Sequence, residues 1–157
     1  MTRSILIAAA ALALTAPALA APVPPETPAG PDFLVQNAKA KGVITTPSGL
    51  EYFIVKSGPG TGPHPTAQDS ATFDYEVKLL NGQVIDSSYE RHEPLTGKVG
   101  EFVPGFSEAL ELMRPGDEWI VWVPPQLGYG ANDKGPIPGN SVLRFRLALH
   151  SVTPAAS

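Results

Sequence analysis

The stretch "TFDYEVKLLNGQVID", Thr72 to Asp86, constrains the fold more than any other part of the chain. Phe73, Tyr75, Val77 and Leu79 alternate with Asp74, Glu76 and Lys78. A period of two fits a strand with one buried face and does not fit a helix. Asn81-Gly82 follows directly, and that dipeptide is the strongest short hairpin signal. The chain is therefore expected to turn back through Val84 and Ile85. A hairpin with one apolar face must bury that face against something else.

The rest of the chain supplies the partners. "LEYFIVKSG" sets Leu50, Tyr52 and Ile54 against Glu51, Phe53 and Val55. "EWIVWVP" and "SVLRFRLALHSV" read as two further strands, with Leu143, Phe145, Leu147 and Leu149 opposing Arg144, Arg146 and His150. Between them, "PGFSEALELMRPG" spaces Phe106, Ala109, Leu110 and Met113 as a helix does, and Pro115-Gly116 ends it. About five antiparallel strands and one short helix make an α+β fold. The simplest burial lays the helix across the concave face of a bent sheet. Upstream, "PDFLVQNAKAKG" has helix punctuation, with Pro31 early, Asp32 in the first turn and Gly42 as a stop. Its apolar stripe is thin.

One loop stands out. Of the sixteen residues in "PQLGYGANDKGPIPGN", Pro125 to Asn140, seven are Gly or Pro, yet Tyr129 and Ile137 sit among them. That composition predicts a shaped loop, and shaped loops on rigid scaffolds are where binding residues tend to lie.

At the amino terminus, Arg3, an apolar run and Ala18-Leu19-Ala20 have the layout of a cleaved secretory signal peptide over residues 1–20. The run is too short to span a bilayer, so no stable membrane insertion is expected. Residues 21–48 read as a Pro-rich leader and the short helix, and 49–157 as the folded domain. Loss of residues 1–20 removes Arg3 and moves the net charge from −4 to −5. An acidic chain lacks the basic face that nucleic acid requires. With no cysteine, stability must come from the core. His64, His92 and His150 lack metal-ligand spacing, so neither a metal nor another cofactor is expected.

Read alone, the polar residues of the hairpin admit ordinary explanations. Tyr75 is a core tyrosine, Asp86 before Ser87-Ser88 caps a turn, and Arg91 is a solvated charge. Their order along the chain argues otherwise. "FDYEVKLLNGQVIDSSYERHEPL", "VGEFVPGFSEALELMRPGDEW", "VPPQLGYG" and "GPIPGNSVLRFRLAL" resemble, in sequence order, the FKBP-type peptidyl-prolyl isomerases. The resemblance runs from about Gln68 to Val152, and the lead-in "NAKAKGVITTPSGLEYFIVKSGPGTGP" is similar to that of exported bacterial members of the Mip and FkpA kind. Those members carry a long amino-terminal helical dimerisation region. Here only about a dozen helical residues precede the domain, so a monomer is expected.

The resemblance implies a strongly bent antiparallel sheet wrapped around one short helix, with a prolyl-binding pocket between them. It implies catalytic roles for Asp86, Tyr129, Tyr75 and Phe106, the last as pocket floor. It implies substrate contacts from Ile85, Arg91, Leu95, Phe102, Val103, Ile137 and Phe145. The implied partners are proline-containing polypeptides and macrolides of the tacrolimus and rapamycin type. Ile85 and Leu95 replace aromatics common in the family, which leaves a second expectation: a proline-segment binding module or chaperone with little turnover.

Overall fold

The computed structural model describes residues 30–156. The expected signal peptide and the leader up to Ala29 lie outside them. In chain order the elements are α1 (Gly30–Asn37), β1 (Val43–Thr45), β2 (Glu51–Lys56), β3 (Ser70–Leu79), β4 (Val84–Ser87), α2 (Ser88–Arg91), β5 (Leu95–Lys98), α3 (Pro104–Leu112), β6 (Glu118–Val123) and β7 (Leu143–Thr153). Short 3-10 turns occupy Val99–Glu101 and Pro125–Leu127. All pairings are antiparallel, and the strand order is β1-β2-β6-β7-β3-β4, with β5 also beside β3.

The period-two strands carry the core. Phe73, Val77 and Leu79 of β3, Trp119, Val121 and Val123 of β6, and Leu143, Phe145, Leu147 and Leu149 of β7 are all buried. They meet Phe106, Ala109, Leu110 and Met113 from α3 and the residue that caps it, so the helix lies on that face as the periodicity requires. Gly105 lets it approach closely: a Cβ there would stand 2.6 Å from Val123 Cγ1. The opposite face is polar, with Glu76 on Lys78 at 2.8 Å and Glu118 on Arg146 at 2.6 Å. There α1 adds a small cover, Phe33 lying 6.5 Å from the Trp122 ring and Asn37 donating to Glu51 at 2.7 Å. Glu51 is thereby buried, which raises its carboxyl above the usual value against a smaller lowering from Asn37.

The hairpin turns where Asn81-Gly82 places it, although with only Gly82 at positive φ (+89°). Gly82 N donates to Leu79 O, closing a turn over Leu79–Gly82, and Asn81 Oδ1 accepts from Gln83 N. This is a type I-like turn completed by a left-handed glycine, not a two-residue turn with both central residues left-handed. β2 departs from the alternation expected of it. Ile54 and Val55 are both exposed, because β2 lies next to the sheet edge, flanked on that side only by the three-residue β1.

The sheet is interrupted where the site lies. β7 pairs β3 along its length, but the other side of β3 is shared: Ser70–Phe73 pair with β5, and Glu76–Lys78 pair with β4. Asp74 and Tyr75 fall in the gap, and α2 fills it with a side chain. Ser88 Oγ accepts from Tyr75 N at 2.9 Å and donates to Asp74 Oδ1 at 2.6 Å. Ser88 is fully buried, so its hydroxyl takes over the pairing a neighbouring strand would have supplied.

Candidate functional site

Phe106 is the centre of the candidate site. It projects from the first turn of α3, is 5 % exposed, and touches four rings. Centroids lie at 5.0 Å for Phe102, 5.0 Å for Phe145, 5.2 Å for Phe73 and 6.3 Å for Tyr75, all tilted or edge-on. Those inclined geometries suit ring quadrupoles and make a rigid floor. Above it opens a cavity of about 480 Å³. Its lining includes ten of the eleven residues expected from the sequence: Tyr75, Ile85, Asp86, Leu95, Phe102, Val103, Phe106, Tyr129, Ile137 and Phe145.

The eleventh, Arg91, does not line the cavity. It stands behind Asp86, Nη1 bonding Asp86 Oδ1 and Nη2 donating to Tyr75 OH at 3.1 Å. Tyr75 OH in turn donates to Asp86 Oδ2, and Ser87 N donates to Asp86 Oδ1 at 2.8 Å. Three donors thus converge on one carboxylate at the pocket wall. Burial alone would push the Asp86 carboxyl up; the Tyr75, Arg91 and Ser87 hydrogen bonds outweigh it and hold it below the usual 3.8. Burial, and then the bond to Asp86, push the Tyr75 phenol above 10.0. The carboxylate is therefore ionised and the phenol neutral across the ordinary pH range.

This has a measurable consequence. Because the folded value is depressed, the stabilisation from ionised Asp86 is present above the unfolded carboxylate value and is lost as the pH falls through the folded one. A carbon-13 titration of Asp86 should show its inflection below 3.8, and Tyr75→Phe should move it upward. An inflection at or above 3.8 in the wild type would contradict the network.

Two donors on the opposite walls are unengaged. Val103, which caps α3, gives its N–H to no acceptor among the described residues. The Tyr129 hydroxyl likewise has no partner there, and the residue is 41 % exposed at the mouth. Ile137, beside it in the same loop, is buried as wall. Lys134 and Ile137 exchange both backbone hydrogen bonds, at 2.8 and 2.9 Å, across a turn with Gly135 at φ +53°. The loop is therefore fixed, and its Tyr129 and Ile137 both face this cavity.

Four lining residues lay outside the sequence expectation: Phe73, Val77, Glu101 and Lys134. Phe73 and Val77 flank Tyr75 on the same strand face, so the period-two pattern already contained them. Glu101 and Lys134 are solvent-exposed charges in irregular segments, where no periodicity gives a signal.

Comparison with known proteins gives the family and the fold. The family model described as FKBP-type peptidyl-prolyl cis-trans isomerase matches residues 62–150, and that for the domain amino-terminal to it matches 22–54. The outer membrane protein MIP of Legionella longbeachae is 41% identical over 128 residues, 81% of this chain and 54% of that protein. The peptidyl-prolyl cis-trans isomerase Mip of Coxiella burnetii is 42% identical over 121 residues, 76% of this chain and 52% of that protein. The crystal structure of FkpA from Escherichia coli superposes with a TM-score of 0.76 at 35% identity, covering 81% of this chain and 59% of that one. The chain spans about half the length of the curated relatives it matches.

Proposed function

The chain belongs to the FKBP-type peptidyl-prolyl cis-trans isomerase family, and on that premise we propose that it catalyses rotation about X–Pro bonds in folding polypeptides. The observation that carries the proposal is the apolar, ring-floored cavity with an ionised Asp86 held at its wall and two free donors at its rim. Rotation about the amide must cross a barrier of roughly 18–20 kcal/mol and takes tens to hundreds of seconds unaided. The planar amide is polar through resonance, and the twisted transition state has lost that resonance. A dry pocket floored by Phe106 disfavours the planar form relative to the twisted one. The prolyl ring seats on Phe106 between Tyr75, Phe102 and Phe145. Tyr129 OH and Val103 N–H steady the rotating carbonyl, and Asp86 polarises the wall beside it. No nucleophile and no proton transfer are needed.

A second reading rests on a specific observation. Ile85 and Leu95 give the pocket no ring on their side, and Leu95 is 36 % exposed. A wider, less aromatic wall would hold proline segments with little turnover. A peptide isomerisation assay without a coupling protease separates the two. The isomerase reading expects cis–trans exchange accelerated in proportion to protein concentration. Binding without acceleration would establish the second reading instead.

We further propose export. Among the described residues no helix is long and apolar enough to cross a membrane. Residues 1–20 read as a signal peptide, so mature protein from the periplasm should begin at Ala21. Amino-terminal sequencing that found Met1 retained would refute this. The clients would then be exported proteins in the course of folding, met by a monomer, and macrolides of the tacrolimus type would compete for the same cavity.

A further inference from the structure

Asp86 is compensated by Arg91, which leaves Glu101 and Lys134 as the cavity's other charged lining residues. Among the described residues neither forms an ion pair, and neither side chain has a hydrogen-bond partner. Both are exposed, and both are mounted on rigid backbone. Glu101 ends the 3-10 turn Val99–Glu101, which is pinned by Ser107 Oγ donating to Val99 O at 2.6 Å and by Val99 N donating to Asp69 O at 2.9 Å. Lys134 is clamped to the buried Ile137 by the two backbone bonds described above. Its neighbour Asp133 makes no ion pair with it among the described residues; Asp133 Oδ1 accepts instead from Gly139 N at 2.7 Å within the loop. The apolar floor thus carries an unpaired anion and an unpaired cation at separate points of its lining.

We propose that Glu101 and Lys134 are specificity-determining residues that select the residues flanking the proline by charge. Lys134 accepts an acidic side chain and Glu101 a basic one, so the preferred substrates are X–Pro segments bearing an acid on one side of the proline and a base on the other. The inference rests on the isomerase reading. Opposite charges displayed on a rigid frame discriminate between peptides, because each correctly placed partner gains and each like charge loses. Exposed pairs are individually weak, so each is expected to change kcat/KM about twofold to fivefold, chiefly through KM. The preference is expected to fade at high salt, where exposed charges are screened.

The test uses one peptide framework around a single Ala–Pro bond in five versions: neutral flanks, acid only, base only, and acid and base in either order. Rates are measured at low and high salt for the wild type, Lys134→Glu, Glu101→Lys and the double exchange. What is read is the ratio of each charged peptide to the neutral one within the same protein. The proposal expects one dipolar order to be best for the wild type, and the double exchange to favour the reverse order. Equal ratios for all peptides, or ratios that the three variants leave in place, would overturn it. Absence of turnover on the neutral peptide by the wild type would instead defeat the isomerase reading. A charge preference with the neutral rate intact therefore separates the two claims.

Discussion

Asp86→Leu is expected to lower kcat/KM on a prolyl peptide by on the order of a hundredfold while the domain stays folded. The two halves of this expectation have different physical origins. Leucine preserves the apolar bulk of the wall but removes the charge on which Tyr75, Arg91 and Ser87 converge. Without that acceptor, Tyr75 loses the bond that sets the direction of its hydroxyl, and Arg91 has no reason to stand behind the pocket. The field at the twisting amide weakens, because the anion beside it is gone. The fold is spared because the released groups reach water. Arg91 and Asp86 have side chains 46% and 44% exposed, so the released guanidinium is not stranded in a dry interior. Steady-state rates on a proline peptide, with thermal melts alongside, decide the matter. Unchanged kcat/KM with normal melting would remove Asp86 from the mechanism.

The fold was legible in the sequence where local pattern and tertiary environment agree. β3, β6 and β7 each have one face on the core, so their period-two alternation survives intact as burial. α3 is equally plain, since its apolar stripe meets that same face. The pattern failed at β1, β5 and α2. These are three or four residues long, and what holds them is external to them: β2 for β1, the first half of β3 for β5, and Asp74 and Tyr75 in the gap of β3, which bond the Ser88 hydroxyl, for α2. No window of sequence contains those partners. Ile54 and Val55 misled for the converse reason, being apolar residues beside a sheet edge with too little cover to bury them.

The site divides the same way. Its floor comes from regular elements, and there strand and helix periodicity places Tyr75, Phe145 and Phe106 on one core. The clustering of Asp86 with Arg91, by contrast, depends on the single turn of α2 between them, capped by Ser87 Oγ accepting from Glu90 N, which is too short to show a period. Only the resemblance of ordered blocks to a known family named those residues. That resemblance offered Arg91 as a substrate contact, whereas the geometry has it orient Asp86 and Tyr75 from behind.

Gly139→Ala tests whether the loop wall matters as much as the floor. A Cβ at Gly139 would lie 2.1 Å from Ala131 O and 2.8 Å from Ala131 C. Both are backbone atoms, so no rotamer change relieves the clash and the loop itself must move. That loop is stitched shut by Asn140 N donating to Gly130 O at 2.8 Å and by Asp133 Oδ1 accepting from Gly139 N. Moving Ala131 moves Tyr129, two residues away, and loosening Gly139 loosens Ile137. A displacement near 1 Å at a positioning group can cost about a hundredfold, so kcat/KM is expected to fall roughly tenfold to a hundredfold. Stability should fall less than activity, because Ile137 is the one residue between Pro125 and Asn140 that belongs to the buried core cluster. Gly135→Ala is the informative control. It meets nothing within 4 Å, and its φ of +53° imposes only the left-handed strain of about 1–2 kcal/mol on a turn that still closes. If Gly139→Ala turns over substrate like the wild type, the Tyr129 wall does not position the carbonyl, and the rate enhancement must come from the floor and Asp86 alone.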